Sequence, residues 1–236
     1  MGLIGSVAAR LSRPGGGLLL DLDGTLVLSE ATHQRAFRDY FATRGWYVTD
    51  DVVREFSGRL APEVFGTLPG PWTGEEPVAL TEGVLEVLRG MEVRPEPVPG
   101  AARLLTACAT AGLPMALVTS AHREWAVAAL ELLGAAELGV HMVTAEDCAH
   151  GKPDPEPFRR GAEVLGLDPS GLVAFEDAPA GIASACAAGV GYVIGVTTSQ
   201  SAFVLRAAGA RETFADLTAL AATVERQAVQ HGTAST

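Results

Sequence analysis

The sequence predicts an α/β protein in which a parallel β-sheet is flanked by helices on both faces and a small all-helical segment is inserted after the first strand. From residue 101 onward, short apolar runs alternate with helical patterns, and this alternation is typical of right-handed βαβ units. The apolar run that follows Gly17 has no polar alternation, which indicates a strand buried on both faces of a parallel sheet. Residues 29–93 contain helical patterns and no strand pattern, so they form the predicted insert.

Length and composition predict a globular protein with a sizeable core. The chain has 236 residues, of which 48% are hydrophobic, and this is enough to bury a substantial core. Residues 1–13 lack the continuous apolar run of a signal peptide, and no later run reaches membrane-spanning length. We therefore expect a cytoplasmic protein that is a monomer or a small homo-oligomer. Cys108, Cys148 and Cys186 show no metal-binding spacing, so they are predicted to be reduced thiols.

The elements up to the end of the insert follow from breakers and apolar stripes. Residues 1–16 are predicted to be a poorly structured lead-in, because a Pro-Gly-Gly sequence closes them just before the first strand. In the insert, Ser29 is placed to cap a helix that Gly45 ends. Further helical patterns cover residues 50–56 and 81–91, and a Gly- and Pro-rich loop covers residues 66–77.

The segment 94–100 carries three prolines and is predicted to connect the insert back to the sheet. The alternating pattern after it predicts strands at 115–118, 140–143, 172–175 and 191–196, and helices at 101–111, 123–133, 156–165, 178–188 and 202–208. The predicted division is therefore a core domain of residues 1–28 and 94–236, with an inserted domain of residues 29–93.

Polar side chains follow three of the predicted strands at the point where each strand ends. These pairs are Asp21 and Asp23, Thr119 and Ser120, and Glu176 and Asp177. Taken singly, a helix cap explains Thr119 or Ser120 and also Glu176-Asp177, whereas a turn explains one of Asp21 and Asp23 but not the second. The carboxyl ends of parallel strands form one edge of a sheet, where open α/β sheets bind ligands, so joint placement favours a site. Carboxylates suit Mg²⁺, and hydroxyl groups suit phosphate oxygens.

The charge of the chain limits its partners and draws attention to one residue. A formal net charge of −11 argues against nucleic acid and anionic membranes. An anionic substrate would be repelled by this charge, so its site must supply positive charge locally. Sixteen of the 17 basic residues are Arg, and Lys152 is the only lysine. A compact ammonium is not interchangeable with a planar guanidinium, so Lys152 is a candidate phosphate contact. The backbone N–H groups near Gly24 are further candidates.

Four segments together resemble the motifs of the haloacid dehalogenase-like hydrolase superfamily, in the expected order. They are Asp21-Leu22-Asp23-Gly24-Thr25-Leu26, Val118-Thr119-Ser120, Gly151-Lys152-Pro153 and Phe175-Glu176-Asp177-Ala178-Pro179-Ala180-Gly181-Ile182. The resemblance implies a Rossmann-like core, and it makes the helical insert a cap domain. The insert resembles the caps of β-phosphoglucomutase, phosphonatase and the sugar- and polyol-phosphate phosphatases. Within this subgroup, residues 151–158 and 176–189 most resemble the glycerol-3-phosphate and 2-deoxyglucose-6-phosphate phosphatases.

The resemblance also implies roles for the motif residues. Asp21 would be the nucleophile that forms an aspartyl-phosphate, and Asp23 would be the general acid and base. Mg²⁺ would be held by the Asp21 carboxylate, the Asp23 carbonyl and Asp177, with Glu176 beside it or also acting as a ligand. The phosphoryl oxygens would be bound by Thr119, Ser120, Lys152 and the backbone at Gly24.

Two cap residues are further candidates for contact with the substrate. Arg59 follows a glycine bend in the cap, and His33 lies where the mutase has a hinge histidine. This chain departs from the mutase at Ser57 and Ala61, where the mutase has Lys and Arg, and from most of the subgroup at Leu28, where Asp is usual.

The resemblance implies a Mg²⁺-dependent phosphatase acting on a small sugar or polyol phosphate. A hexose-phosphate mutase and a non-catalytic domain that only binds a phosphorylated ligand remain alternatives. The second Asp argues against a dehalogenase, and a cap without lysine argues against a phosphonatase.

Overall fold

The computed structural model describes residues 3–91 and 95–232. The strands are β1 (Leu18–Leu20), β2 (Val27–Leu28), β3 (Glu96–Pro97), β4 (Met115–Val118), β5 (His141–Val143), β6 (Val173–Glu176), β7 (Tyr192–Val196) and β8 (Glu212–Phe214). The helices are α1 (Leu3–Leu11), α2 (Glu30–Thr43), α3 (Asp50–Arg54), α4 (Ala61–Thr67), α5 (Pro77–Arg89), α6 (Ala101–Thr110), α7 (Arg123–Leu132), α8 (Glu156–Leu165), α9 (Pro179–Ala187), α10 (Ala202–Ala207) and α11 (Thr218–Gly232).

The main sheet has six strands in the order β5-β4-β1-β6-β7-β8, and all of its strand pairs are parallel. This confirms the predicted α/β fold. β1 is central, with Leu20 aligned to Leu117 on one side and to Phe175 on the other. Because the three strands end in register, the residues that follow them meet at one edge of the sheet.

The side chains of β1 divide between two hydrophobic clusters, as the two-residue period of a strand requires. Leu18 and Leu20 join the cluster that includes residues of α1, α6, α7 and α11. Leu19 joins the cluster that includes residues of α8, α9 and α10. All three leucines are fully buried, so helices cover both faces of the sheet.

The helical block between β2 and β3 has a hydrophobic cluster of its own, rich in aromatic residues. Phe41 and Trp72 stack with their ring centroids 5.3 Å apart, and Phe56 packs edge-on against Phe65 at 4.8 Å. β2 and β3 pair antiparallel, so the chain enters and leaves the block side by side. The division into a core (1–28 and 94–236) and a cap (29–93) stays a prediction, which the separate clusters support.

The prediction of a poorly structured lead-in over residues 1–16 is wrong, because residues 3–11 form α1. Val7 and Leu11 are buried in the same cluster as residues of α11, so a tertiary contact stabilises this short helix. The sequence analysis also did not identify α4, β8 and α11. Within the described ranges 3–91 and 95–232, no helix has the length and apolarity needed to cross a membrane.

Candidate active site

The first acidic residue of the site lies directly after the central strand. Asp21 is only 4% exposed, and its backbone N–H donates to the Phe175 carbonyl at 3.0 Å. Gly24 then adopts a φ of +85°, a left-handed conformation that favours glycine. A Cβ at Gly24 would lie 2.0 Å from Oδ2 of Asp177. The glycine therefore allows the turn after β1 and also leaves the space in which the Asp177 carboxylate lies.

Lys152 is the cation at the centre of the site. Its Nζ donates to Asp21 Oδ1 at 2.6 Å, to Glu176 Oε1 at 2.6 Å and to the Val118 carbonyl at 2.9 Å. An ammonium has three N–H donors, so all of them are used, and the side chain is fully buried. Burial alone would lower the pKa of Lys152, but the charges of Asp21 and Glu176 outweigh it and raise the pKa above its usual value. The lysine is therefore charged.

Glu176 is the second carboxylate that accepts a hydrogen bond from Lys152. Oε1 accepts from Lys152, and Oε2 accepts from the backbone N–H groups of Asp177 and Ala178, both at 3.1 Å. A Cβ at Gly181 would lie 1.7 Å from Oε1, so a glycine at this point of α9 makes room for the carboxylate. Both oxygens of Glu176 are thus engaged by donors of the protein.

The carboxylates of this cluster outnumber its single ammonium. Asp21, Glu176 and Asp177 each place one carboxylate oxygen within 4.8 Å of the others, and all three residues are buried. Burial and then the neighbouring Glu176 raise the pKa of Asp21 to about 8. Burial followed by the charges of Asp21 and Glu176 raises the pKa of Asp177 well above its ordinary range. Three carboxylates beside one ammonium fit a divalent cation that prefers oxygen ligands, such as Mg²⁺.

Asp23 lies beside this cluster and is held by donors from two parts of the chain. Its Oδ1 accepts from Ser29 Oγ at 2.5 Å and from Trp125 Nε1 at 2.9 Å. The imidazole of His33 places Nδ1 3.8 Å from the same oxygen and packs edge-on against the indole of Trp125 at 6.4 Å. The sequence analysis did not identify Trp125. Its position in the first turn of the helix after Thr119 was the available signal, because that turn faces the same edge of the sheet.

The two hydroxyl residues after β4 have different contacts. Thr119 Oγ1 accepts the N–H of Ala121 at 3.0 Å, and its hydroxyl hydrogen remains able to donate. Ser120 Oγ donates to the Gly58 carbonyl at 3.2 Å, which joins the sheet edge to the helical block. Ser120 therefore lies at the site, but its hydroxyl is engaged by the predicted cap.

Residues 57–63 of the helical block contact residues next to Lys152 and Asp177. The N–H of Gly151, next to Lys152, donates to Glu63 Oε1 at 2.9 Å, and a Cβ at Gly58 would lie 2.8 Å from that of Ala178. Arg59 in this segment has a buried Nε without a hydrogen-bond partner, and its Nη1 lies 3.7 Å from Glu55. Arg59 therefore has donor capacity that the described residues do not use.

A cavity of about 350 Å³ lies between the sheet edge and the helical block. Asp21, Asp23 and Thr119 line it from the sheet side. Its other polar lining residues include Glu30, His33, Gln34, Ser57, Arg59, Ser120, His122 and Glu146, and its apolar wall includes Val78, Val84, Leu85 and Leu88 of α5. This volume and this mixture of linings fit a small organic molecule.

Comparisons with known proteins show one matching family and several similar proteins. The family model described as haloacid dehalogenase-like hydrolase matches residues 17–189. The chain is 37% identical to validoxylamine A 7′-phosphate phosphatase from Streptomyces hygroscopicus subsp. limoneus, over 79% of this chain and 88% of that protein. It is 37% identical to hexitol phosphatase A from Escherichia coli, over 73% of this chain and 79% of that protein. Glycerol-1-phosphate phosphohydrolase 2 from Saccharomyces cerevisiae is 33% identical, over 77% of this chain and 74% of that protein.

Solved structures share the same fold. A hydrolase from Pseudomonas syringae superposes with a TM-score of 0.79 at 22% identity, covering 89% of this chain and 98% of that chain. CbbY from Rhodobacter sphaeroides in complex with phosphate superposes with a TM-score of 0.72 at 25% identity, covering 88% of this chain and 96% of that chain.

Proposed function

Because the chain belongs to the haloacid dehalogenase-like hydrolase family, we propose that it is a Mg²⁺-dependent phosphatase that hydrolyses a small sugar or polyol phosphate through an aspartyl-phosphate. The observation that carries the proposal is one buried cluster in which Asp21 contacts Lys152 at 2.6 Å and lies beside Asp177. A nucleophilic carboxylate, a fixed ammonium and a cation site are the parts that phosphoryl transfer through an aspartate requires.

In the first step, a carboxylate oxygen of Asp21 forms a bond to phosphorus while the bond from phosphorus to the leaving oxygen breaks. Asp23 gives its proton to that oxygen, so the product leaves as an alcohol. Lys152 holds Asp21 by one oxygen, which leaves the other oxygen for the attack. The ammonium also offsets negative charge that would otherwise repel the phosphate.

In the second step, water attacks the phosphorus of the aspartyl-phosphate. Asp23 takes the proton of that water as the Asp21–phosphorus bond breaks and inorganic phosphate forms. Thr119, with a hydroxyl hydrogen free to donate, would bind a phosphoryl oxygen. Ser120 and the backbone at Gly24 are further phosphate contacts of the proposal, although in this structure the Ser120 hydroxyl donates to the Gly58 carbonyl and the Gly24 N–H donates to the Val27 carbonyl.

The residues that would hold Mg²⁺ are Asp21, Asp177 and the backbone carbonyl of Asp23, with Glu176 beside them. When bound, the ion supplies positive charge that stabilises the phosphoryl group during transfer. Glu176, with both oxygens engaged by Lys152 and backbone N–H groups, would act chiefly by orienting the lysine.

The names of the relatives support a sugar or polyol phosphate as substrate, since they describe phosphatases of a validoxylamine phosphate, a hexitol phosphate and a glycerol phosphate. The cavity of about 350 Å³ supports it as well, because it leaves room for an organic group beyond the phosphate. Arg59 and His33 would contact this group from the cap.

The test is release of inorganic phosphate from glycerol 1-phosphate, mannitol 1-phosphate, glucitol 6-phosphate, fructose 1-phosphate and 2-deoxyglucose 6-phosphate. Each substrate is assayed with Mg²⁺ and with EDTA. We expect turnover that depends on Mg²⁺ with at least one of them. Transfer of the phosphoryl group to a second sugar hydroxyl, without release, would instead identify a mutase. Binding without either reaction would identify a domain that only holds its ligand.

A further inference from the structure

The carboxyl group of Asp23 is restrained on one oxygen only. Ser29 and Trp125 both donate to Oδ1, at 2.5 Å and 2.9 Å. An indole N–H can donate and cannot accept, so Oδ1 is fixed as an acceptor. Among residues 3–91 and 95–232, no donor forms a hydrogen bond with Oδ2. Asp23 lines the cavity, and its second oxygen is therefore the one available to a bound molecule.

The two donors come from different places in the fold. Ser29 immediately precedes α2, at the entrance to the helical block. Trp125 lies in α7, which flanks the main sheet, and its ring packs against the core cluster that includes Leu18 and Leu20. The bond from Trp125 therefore ties Asp23 to the sheet domain, independently of how the helical block is placed.

We propose that Trp125 is a positioning residue for Asp23. Its N–H holds Oδ1 and thereby presents Oδ2 to the oxygen of the ester bond that breaks. The edge-on contact with His33 restrains the plane of the indole. This inference rests on the proposed phosphatase function, in which Asp23 donates a proton to the leaving oxygen and later accepts one from water.

The test compares two kinds of leaving group in the variant Trp125→Phe, which keeps an aromatic ring but is smaller than the indole and lacks its N–H. One substrate is the sugar or polyol phosphate of the panel with the highest kcat/KM, whose alkoxide needs a proton to leave. The other is p-nitrophenyl phosphate, whose p-nitrophenolate leaves without one.

We expect kcat/KM on the alkyl phosphate, which reports the steps up to loss of the leaving group, to fall roughly tenfold to a hundredfold, which is part of the roughly 10²–10⁴-fold that a general acid contributes. On p-nitrophenyl phosphate, kcat/KM should stay within about twofold of the wild type, because this leaving group needs no proton. In the Asp23→Asn background, adding Trp125→Phe should leave the ratio of the two kcat/KM values unchanged, because the group that it positions is gone. The matched control is Trp46→Phe, which makes the same change of side chain in the hydrophobic cluster of the helical block, away from Asp23.

Equal losses of kcat/KM on both substrates would show that Trp125 only supports the fold. An unchanged ratio in Trp125→Phe, or a gain in alkyl phosphatase activity, would also overturn the inference. A further fall of the ratio in the double variant would show that Trp125 acts apart from Asp23. In all of these cases an active wild type leaves the phosphatase proposal standing, whereas a wild type that releases no phosphate from any ester refutes that proposal itself.

Discussion

Removing the ammonium of Lys152 should destabilise this protein more than removing any exposed positive charge. Lys152→Met keeps a long, flexible side chain and deletes the charge. The variant leaves Asp21 and Glu176 without the donor that contacts each of them at 2.6 Å. Asp177 lies next to them in the same buried group. The result is a cluster of carboxylates with no cation of the protein beside it.

The size of the effect follows from these distances. At 2.6 Å and an effective dielectric constant of about 20, each ion pair is worth roughly 6 kcal/mol before desolvation. Most of this loss is offset in the variant for two reasons. No ammonium has to be transferred from water into the protein interior, and the carboxylates can bind protons. Breaking a buried pair by removing one partner costs about 3–5 kcal/mol net. For a chain of this length, that corresponds to a loss of roughly 6–20 °C in Tm.

The assay is urea unfolding and thermal unfolding in EDTA, and again with Mg²⁺, at pH 9, where Asp21 is ionised even with its pKa raised to about 8. Arg160→Met is the matched control, because Arg160 pairs with Glu156 at 2.7 Å on the surface, where such pairs are worth about 0–1 kcal/mol. Mg²⁺ should raise the Tm of Lys152→Met more than that of the wild type, since the ion would replace missing positive charge. Lys152→Arg keeps the charge, but its planar group should not restore phosphatase activity.

If Lys152→Met were no less stable than Arg160→Met, the electrostatic reasoning would be refuted. A Tm of Lys152→Met that does not respond to Mg²⁺ would contradict the cation site. Full phosphatase activity in Lys152→Arg would overturn the argument that this position needs a compact ammonium.

Three further predictions concern the nucleophile, the cap and pH. Asp21→Asn should remain folded by circular dichroism and release phosphate only at background, because an amide does not accept the phosphoryl group; steady-state turnover would remove Asp21 from that role. Arg59→Ala should change the ranking of substrates in the panel, whereas Arg54→Ala, which loses an exposed pair with Asp51, should not; parallel losses on every substrate would contradict a specificity role. The pKa of Asp21 is raised from 3.8 to about 8 in the folded protein, so the folded state binds more protons between these values. Without metal, the unfolding free energy should therefore fall as pH rises from about 4 to about 8. The fall should be less steep in Asp21→Asn, because that variant lacks the titrating carboxyl group. Urea unfolding in EDTA at several pH values measures both.

The parts of the site that the sequence could predict are those whose signal is local. Asp21 directly follows an uninterrupted apolar run, and Glu176 and Asp177 follow another, so strand ends and acids can be seen together. The register of a parallel sheet then brings them to one edge. Lys152 was identifiable because no other lysine occurs in the chain.

The parts that could not be predicted depend on contacts between distant residues. Trp125 and Asp23 are 102 positions apart, and the position of Trp125 in the first turn of α7 places it near the site without indicating which side chain it contacts. Helix α1 was missed because nine residues are too few to form a stable helix alone. Its apolar face becomes meaningful only once α11, at the other end of the described chain, packs against it.

Because Lys152 is the only lysine of the chain, the protein is suited to chemical labelling with amine reagents. Its single lysine side chain is fully buried, so a reagent for lysine amines finds no such target while the site stays closed. Modification at Lys152 requires an opening that exposes Nζ to solvent, and its rate therefore reports how often that opening occurs. A ligand that binds the closed site should slow the reaction in proportion to its occupancy. The adduct on Lys152, located by mass spectrometry of its peptide and so separated from any adduct on an α-amino group, thus records the opening of the candidate active site without any change to the sequence.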